Sequence, residues 1–291
     1  MTPRPDTRSE TAVLRLSCAD QPGLVASVAE FIADNGGNIV HAEQHTDFEE
    51  NVFFQRVEFE LDGFALARDE IAPAFSGIAK RFGMQAEVDF SDPAPRVAIL
   101  ASREPHCLHD LLARWGTGEL NADIPLVVSN HPDHAELAAY FGVAYHHLPV
   151  EPATKADQEA QVRALLAQQD VDLVVLARYM QILSGEFVSE WQDRIINIHH
   201  SFLPAFAGGR PYHQAHERGV KVIGATAHYA TEDLDEGPII AQGVIPVSHR
   251  DAVSDLVRKG RDIEKTVLAK AVSLHLDHRV LVHGRRTVVF D

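Results

Sequence analysis

Cysteine and long apolar runs are what the sequence has least of. Its two cysteines, Cys18 and Cys107, lie far apart among 291 residues. Cysteines so separated give neither a metal-ligand spacing nor a redox pair, so we expect two free thiols in a reducing compartment. No stretch approaches the ~20 apolar residues of a membrane span, and the polar opening, MTPRPDTRSE, lacks the apolar core of a signal peptide. We therefore expect a cytoplasmic protein that does not enter a membrane and whose residues 1–10 are disordered.

Basic residues are also scarce relative to acidic ones. The chain has 26 lysines and arginines against 42 aspartates and glutamates, a formal net charge of −16. A surface this acidic disfavours nucleic acids and anionic membranes as partners, although a small anionic ligand held by local arginine or histidine is compatible with it. Hydrophobic residues make up 45% of the chain, which is ordinary for a protein with a packed core, and the length allows two domains.

Residues 11–90 have the pattern of a small α/β domain. Strand and helix patterns follow one another in the order βαββαβ, which is the ferredoxin-like arrangement. The first helix follows a tight turn, Asp20-Gln21-Pro22-Gly23-Leu24. The segment at 91–95, SDPAP, has two prolines and small residues, which indicates a linker to a second domain.

Residues 96–291 alternate short apolar strands with helical patterns. The strand patterns at 97–101, 126–129, 143–147 and 173–176 enclose helical patterns near 106–115, 133–141 and 154–169. Such alternation indicates a doubly wound, mostly parallel, Rossmann-like sheet, whose ligands bind beyond the carboxyl ends of the strands. A strand pair at 220–230 and 239–246, a long helix from about 251 to 276 and a hairpin around Gly284 complete the predicted domain.

The segment at 195–204, IINIHHSFLP, places an amide and an imidazole where a strand ends. Side chains alternate along a strand, so Asn197 and His199 point the same way, and His200 would point the other way if the strand continued. A later turn, LDEGP at 234–238, supplies the carboxylate of Asp235. Taken alone, Asn-X-His is as typical of an ordinary strand-end turn. Together, these three groups can stabilise an oxyanion, move a proton and orient the proton carrier, which indicates attack of an external nucleophile on a carbonyl.

The ordered set of Asn-Ile-His, Ser-Phe-Leu-Pro, a glycine-rich turn and Leu-Asp-Glu-Gly-Pro resembles the formyltetrahydrofolate-dependent formyl-transfer family. The catalytic Asn, His and Asp of that family match Asn197, His199 and Asp235. One departure lies at 207–210, AGGR, where the family leads us to expect a lysine near 207. The resemblance also implies a folate substrate, no further cofactor and no metal. It implies a pterin pocket whose candidate residues are Arg178, Met180, Ile182, Thr231 and Asp233.

The loop after the first strand of the second domain separates the branches of that family. Members that formylate a phosphorylated amine have a glycine-rich loop there, whose backbone N–H groups hold the phosphate. Here the loop at 102–108 is SREPHCL, without glycine. Pro105 lacks an N–H, Glu104 repels phosphate, and the net charge disfavours a tRNA acceptor. The resemblance therefore implies water as the nucleophile, and hydrolysis of 10-formyltetrahydrofolate to tetrahydrofolate and formate.

The turn at 20–24, within a βαββαβ order, resembles ACT domains, which are regulatory modules that bind amino acids and pair across subunits. The resemblance implies an effector site at Asp20, Pro22, Gly23 and Leu24, with glycine or methionine as the candidate effector, and a homo-oligomer.

Three other readings are left open by the sequence. The first is a formyltransferase with an unphosphorylated amine acceptor, and the second is a non-catalytic sensor of folate and amino acids. The third is a metal hydrolase built on His213 and His216, which are three residues apart on a predicted helix. That pair lacks the intervening glutamate of the zinc-protease pattern, which disfavours it.

Overall fold

A computed structural model describes residues 10–151, 153–205 and 211–291. The disorder expected for residues 1–10 and the departure at 207–210 lie outside these residues, apart from residue 10. The chain divides into two compact units. The first contains the residues up to Ala94 together with Asp277–Leu281 and Val288–Asp291, and the second contains Pro95–Leu276 and Val282–Thr287. In the described residues, no helix combines the length and the apolar composition that crossing a bilayer requires.

The first unit contains a four-stranded antiparallel sheet. Neighbouring strands follow the order β2-β3-β1-β4, so the predicted ferredoxin-like arrangement is confirmed. Its elements are β1 (Thr11–Ala19), α1 (Leu24–Asp34), β2 (Ile39–Asp47), β3 (Val52–Glu60), α2 (Arg68–Phe82) and β4 (Gln85–Phe90). Leu14 and Leu16 alternate with their neighbours on β1 and pack in one apolar cluster with Val28 and Ile32, one helical turn apart on α1.

The chain end belongs to this first unit as well. The guanidinium of Arg56, on β3, donates to the carbonyl oxygens of Asp277 and His278 at 3.0 Å each. Arg15, on β1, donates to the carbonyl oxygen of Val280 at 3.1 Å. The sequence assigned all of 96–291 to the second domain, because hydrogen bonds to carbonyl oxygens leave no trace in a side-chain pattern. The hairpin around Gly284 forms as predicted, from β12 (Val280–His283) and β13 (Arg286–Val289).

The second unit is a seven-stranded sheet in the order β11-β10-β9-β8-β5-β6-β7. Five neighbouring strands are parallel to one another, in the order β9-β8-β5-β6-β7. The strand β10 runs antiparallel to both β9 and β11. The predicted mostly parallel sheet is therefore confirmed. The strands are β5 (Arg96–Ala101), β6 (Asp123–Ser129), β7 (Ala144–His147), β8 (Leu173–Ala177), β9 (Ile195–His199), β10 (Val222–Tyr229) and β11 (Ile239–Pro246).

The helices of the second unit occur close to the predicted positions. They are α3 (His106–Thr117), α4 (Ala135–Tyr140), α5 (Lys155–Gln168), α6 (Gly185–Glu190), α7 (Pro211–Arg218) and α8 (Val253–Leu276). The short helix α6 was not predicted from the sequence. It begins at Ser184, whose hydroxyl accepts a hydrogen bond from the Phe187 N–H and so caps the helix.

Helix α8 packs closely against α7 because it has a glycine at the crossing. A Cβ added at Gly260 would lie 2.0 Å from the hydroxyl oxygen of Tyr212. That hydroxyl donates to the Glu264 carboxylate, one turn further along α8. Glycine at 260 therefore leaves the space that the Tyr212–Glu264 hydrogen bond needs.

We expect Gly260→Ala to lower the free energy of unfolding of the second unit by about 1–3 kcal/mol, the usual cost of overpacking a core. Both tryptophans, Trp115 and Trp191, lie in this unit, so tryptophan fluorescence during urea unfolding reports on it alone. The matched control is Gly185→Ala, whose Cβ would meet Glu232 at an ordinary 3.4 Å. A loss in Gly260→Ala no larger than in this control would contradict the packing argument.

Candidate active site

Strand β9 presents Asn197 and His199 on the same face of the sheet. The two residues are separated by one position, and successive side chains of a strand alternate between its faces, while the neighbouring Ile196 and Ile198 are buried. The β9 strand lies between parallel β8 and antiparallel β10. His199 ends β9 at the carboxyl edge of the parallel strands, where ligands bind in sheets of this class. The two side chains point the same way, as predicted, because Asn197 contacts His228, His199 contacts Asp235, and His228 and Asp235 are neighbours.

Asp235 reaches this edge from the turn between β10 and β11. Its backbone is left-handed, with φ +59°, a conformation that a non-glycine residue adopts at some energetic cost. The turn closes onto β10, because the Tyr229 N–H donates to the Pro238 carbonyl oxygen at 2.9 Å. A Cβ on Gly237 would lie 1.8 Å from the Tyr229 carbonyl oxygen. Glycine at 237 is therefore required for the turn that carries the carboxylate.

The His199 imidazole and the Asp235 carboxylate are in direct contact. His199 Nδ1 lies 3.1 Å from Asp235 Oδ1, and both side chains are largely buried. Above all, the hydrogen bond from His199 holds the pKa of Asp235 well below its ordinary value. The ionised carboxylate can only accept, so His199 donates through Nδ1–H. His199 Nε2 is buried and has no hydrogen-bond partner among the described residues, which leaves it available to a substrate.

His228 orients the Asn197 amide. The two residues are opposite each other in the β9–β10 pairing, and Asn197 Nδ2 lies 3.2 Å from His228 Nε2. His228 Nδ1 lies 2.9 Å from the Tyr229 carbonyl oxygen, which can only accept, so Nδ1 carries the proton. In the neutral ring, Nε2 then accepts from the Asn197 amide, and the second amide N–H of Asn197 is left for a substrate oxygen. The position of His228 on a predicted strand favours a buried histidine with satisfied hydrogen bonds rather than a catalytic one, and its partner, Asn197, depends on strand register.

The loop after β9 is held by a fully buried threonine on β10. Thr226 Oγ1 donates to the Ser201 carbonyl oxygen at 2.9 Å and accepts from the Leu203 N–H at 3.0 Å. Gln242 Nε2 donates to both Thr226 Oγ1 and the Leu203 carbonyl oxygen, at 3.0 Å each. These bonds fix the backbone immediately beyond His199. Residues 201–203 therefore shape the exit from the strand.

Four of the five residues predicted to hold a pterin lie on accessible segments beside this edge. Met180 and Ile182 are 56% and 61% exposed, unusually so for large apolar side chains. Thr231 and Asp233 are exposed in the Asp235 turn, where Thr231 Oγ1 donates to the Asp233 carbonyl oxygen at 2.9 Å. The structure contains no ligand that tests these four residues.

Arg178, the fifth of these residues, instead lines a second polar cluster. Glu264 on α8 is 1% exposed and accepts from His106 Nε2 at 2.8 Å and from the Tyr212 hydroxyl. Arg178 Nε lies 3.4 Å from Glu264 Oε2. Burial by itself would raise the pKa of Glu264, but the His106 hydrogen bond, the Arg178 charge and the Tyr212 hydrogen bond together lower it. No sequence pattern indicates this cluster, because a lone glutamate in a helical pattern is typical of a surface residue.

This second cluster includes the one group in the described residues with metal-ligand spacing, His106, Cys107 and Glu264. Its charges oppose metal binding, because the Arg178 cation shares the Glu264 carboxylate and burial raises the pKa of the Cys107 thiol well above its ordinary value. His213 and His216, the predicted alternative ligands, are both exposed on α7 and belong to no such group in the described residues.

Comparisons with known proteins agree with this arrangement. A family model described as formyl transferase matches residues 95–272, and an ACT domain model matches residues 12–72. A formyltetrahydrofolate deformylase from Synechocystis is 57% identical over 280 residues, covering 96% of this chain and 98% of its own. A crystal structure of a formyltetrahydrofolate deformylase from Pseudomonas syringae pv. tomato superposes with a TM-score of 0.95 at 47% identity, covering 98% and 96%.

A glycinamide ribonucleotide transformylase structure from Symbiobacterium toebii is similar to a smaller part of the chain. It covers 69% of this chain and 97% of its own, with 34% identity and a TM-score of 0.65. The two units and the site define a formyl-transfer protein with an ACT domain. More particularly, the chain belongs to the formyltetrahydrofolate deformylase family.

The low pKa of Asp235 predicts how stability depends on pH. A carboxyl group whose folded pKa lies below its unfolded value of about 3.9 adds stability above that value, and this is lost as the pH falls through the folded pKa. We expect Asp235→Asn to be less stable than the unchanged protein by about 1–3 kcal/mol at pH 7, the range for a hydrogen bond to a charged group. The difference should shrink below about pH 4.

Urea unfolding followed by tryptophan fluorescence at pH 7 and at pH 3 measures this difference. Asp233→Asn, an exposed carboxylate in the same turn, is the matched control and should show little difference at either pH. A gap between Asp235→Asn and the unchanged protein that stays constant with pH would contradict the assigned ionisation.

Proposed function

We infer that the protein hydrolyses 10-formyltetrahydrofolate to tetrahydrofolate and formate. The observation that supports this most is the contact between His199 and Asp235, beside Asn197, at the ligand-binding edge of a sheet that belongs to the deformylase family. The three groups that the chemistry needs come from β9 and from the turn after β10, and His199 Nε2 has no hydrogen-bond partner among the described residues.

Each group has one role in the reaction. Water attacks the formyl carbon, and His199 Nε2 takes the proton that the water loses while Asp235 holds the imidazole through Nδ1–H and stabilises its charge. The free N–H of Asn197 donates to the carbonyl oxygen as that oxygen becomes negative. His199 then returns the proton to the leaving nitrogen as the oxyanion collapses and the carbon–nitrogen bond breaks. The amine leaves as tetrahydrofolate, and the formic acid loses its proton to water as formate. His199 therefore carries the proton between water and the leaving nitrogen, and this scheme uses no metal.

Water is the nucleophile because the loop after β5 offers no cradle for a phosphorylated amine. Its groups are engaged within the protein: Ser102 Oγ donates to Asn130 Oδ1 at 2.7 Å and accepts from the Met180 N–H at 3.0 Å. Pro105, at the start of α3, has no N–H. Transfer to an unphosphorylated amine and non-catalytic sensing are not supported by any contact of the described residues.

The folate is proposed to lie along the segments that carry Met180, Ile182, Thr231 and Asp233. The large exposed apolar side chains of the first segment suit a pterin ring, and Glu232 in the second segment approaches Gly185 just beyond the first. Both segments adjoin the strand ends where Asn197 and His199 lie. The sequence also assigned Arg178 to this pocket, but its contacts support a different role.

We expect His199→Ala and Asp235→Asn each to lower kcat for formate release by about 10²–10⁴, the usual contribution of a positioned acid–base group. The assay supplies 10-formyltetrahydrofolate without any amine and measures formate. His216→Ala, an exposed histidine on α7, is the matched control and should retain its activity. Formate that appears only after an amine is added would overturn the hydrolase assignment, and normal turnover in either variant would remove that residue from the scheme.

The first unit is proposed to bind an amino acid, glycine or methionine, and to pair with a second copy in a cytoplasmic homo-oligomer. The turn at Asp20, Pro22, Gly23 and Leu24 is well ordered by its neighbours: the Asp20 N–H donates to the Asn51 carbonyl oxygen at 3.0 Å. Gly23 has φ +94° at the start of α1, which leaves the backbone accessible for close approach. The β2 edge strand is largely exposed, which suits pairing between copies.

We expect glycine or methionine to change the rate of formate release, and Gly23→Ala to weaken that response. A Cβ at Gly23 meets only Phe82, at 3.8 Å, so the substitution alters the turn without blocking the fold. Gly63→Ala, with φ +79° and nothing within 4 Å, imposes similar backbone strain elsewhere in the unit and is the matched control. A rate unaffected by either amino acid, or lost equally in both variants, would contradict an effector site at this turn.

A further inference from the structure

A charged cleft of about 190 Å³ lies in the second unit, next to the end of β9. His200 lines the cleft, and its ring centroid is 5.0 Å from that of His199. Arg178, His106, Tyr212 and Glu264 line it as well. Because β9 ends at His199, His200 does not continue the strand, and its ring lies beside the His199 ring rather than on the opposite face of the sheet. The cleft therefore adjoins the reacting centre through the two neighbouring imidazoles.

Arg178 presents a guanidinium to this cleft at some conformational cost. It follows β8 with a left-handed backbone, φ +62°, a conformation that costs energy in a non-glycine residue and is found most often at functional sites. Its side chain is 12% exposed. In the described residues, no acceptor forms a hydrogen bond with its terminal nitrogens, and its Nε is buried without a hydrogen-bond partner.

The other charges of the cleft are already compensated. Glu104 forms an ion pair with Arg261 at 2.7 Å. Glu264 accepts from His106 and Tyr212 in addition to its 3.4 Å contact with Arg178. Burial, then the charges of Arg178 and His199, lower the pKa of His200 to about 4, so His200 is neutral at pH 7. The terminal N–H groups of Arg178 are therefore the cationic donors of the described cleft that are open to an anion.

A guanidinium with two free nitrogens matches the two oxygens of a carboxylate. Hydrolysis at His199 produces such a carboxylate, formate, which the ionised Asp235 repels. We propose that this cleft is a product site, in which Arg178 binds formate through two parallel hydrogen bonds as it leaves the reacting centre. The identity of the ligand rests on the proposed function, whereas the carboxylate chemistry of the site rests on Arg178 alone.

Direct binding of sodium formate to the full-length protein, without folate, tests the proposal. Saturation-transfer NMR on the single C–H proton of formate, at constant ionic strength, gives Kd. We expect the unchanged protein to bind formate, Arg178→Gln to bind it at least about tenfold more weakly, and Arg178→Lys to lie between them, because an ammonium is a point charge without the planar fork. Arg178→Lys keeps a cation beside Glu264, so it protects the test against a folding defect.

Arg163→Gln is the matched control, since Arg163 forms surface ion pairs with Glu186 and Glu190 and should bind formate normally. Absence of formate binding to the unchanged protein, or equal binding by both Arg178 variants, would overturn the proposal. So would binding of acetate or glycine in place of formate. If the protein binds formate but releases none from the substrate, the proposed function is refuted and the formate site stands. If it releases formate from the substrate but does not bind free formate, the site alone is refuted.

Discussion

The contact between the His199 imidazole and the Asp235 carboxylate is the interaction on which the site depends. It joins the end of β9 to the turn between β10 and β11, so it fixes both the tautomer of the imidazole and the position of the turn. A buried imidazole with one nitrogen held by a carboxylate can exchange a proton only through the other nitrogen. In this molecule that other nitrogen is free of protein partners among the described residues.

The turn that follows the antiparallel strand β10 makes this contact possible. Thr226 lies opposite His199 and Tyr229 opposite Ile196, so β10 starts beside the end of β9 and ends beside its start. The turn therefore extends back along the sheet for Asp235 to come within 3.1 Å of His199, and Gly237 lets the turn fold tightly onto Tyr229. The same pairing sets His228 opposite Asn197, so one strand supplies both the carboxylate turn and the group that orients the amide donor.

The sequence predicted the strands and most helices, because each has a local signature. The choice of Asn197, His199 and Asp235 rests on the resemblance to the formyl-transfer family, and the structure brings the His199 and Asp235 side chains into contact. The role of His228 depends on strand register, which residue spacing alone does not set. Glu264 and Arg178 are 86 positions apart in the numbering and meet only after α8 has packed, so no window of the sequence contains their ion pair. Residues 277–281 are held in the first unit by hydrogen bonds to their backbone carbonyl oxygens. Every residue has such a carbonyl, so the sequence does not indicate these contacts.

Two neighbouring histidines divide the polar groups of the second unit into two sets. His199 faces Asp235 and Asn197, where an ionised carboxylate supports proton transfer. His200 faces Arg178, Tyr212 and Glu264, where burial and a nearby cation keep the imidazole neutral. A proton-transfer group and a cationic group placed side by side on one face would compete, because the cation would disfavour protonation of the imidazole. Because β9 ends at His199, the two neighbouring imidazoles have different partners, and an anion formed beside His199 has the Arg178 cation nearby.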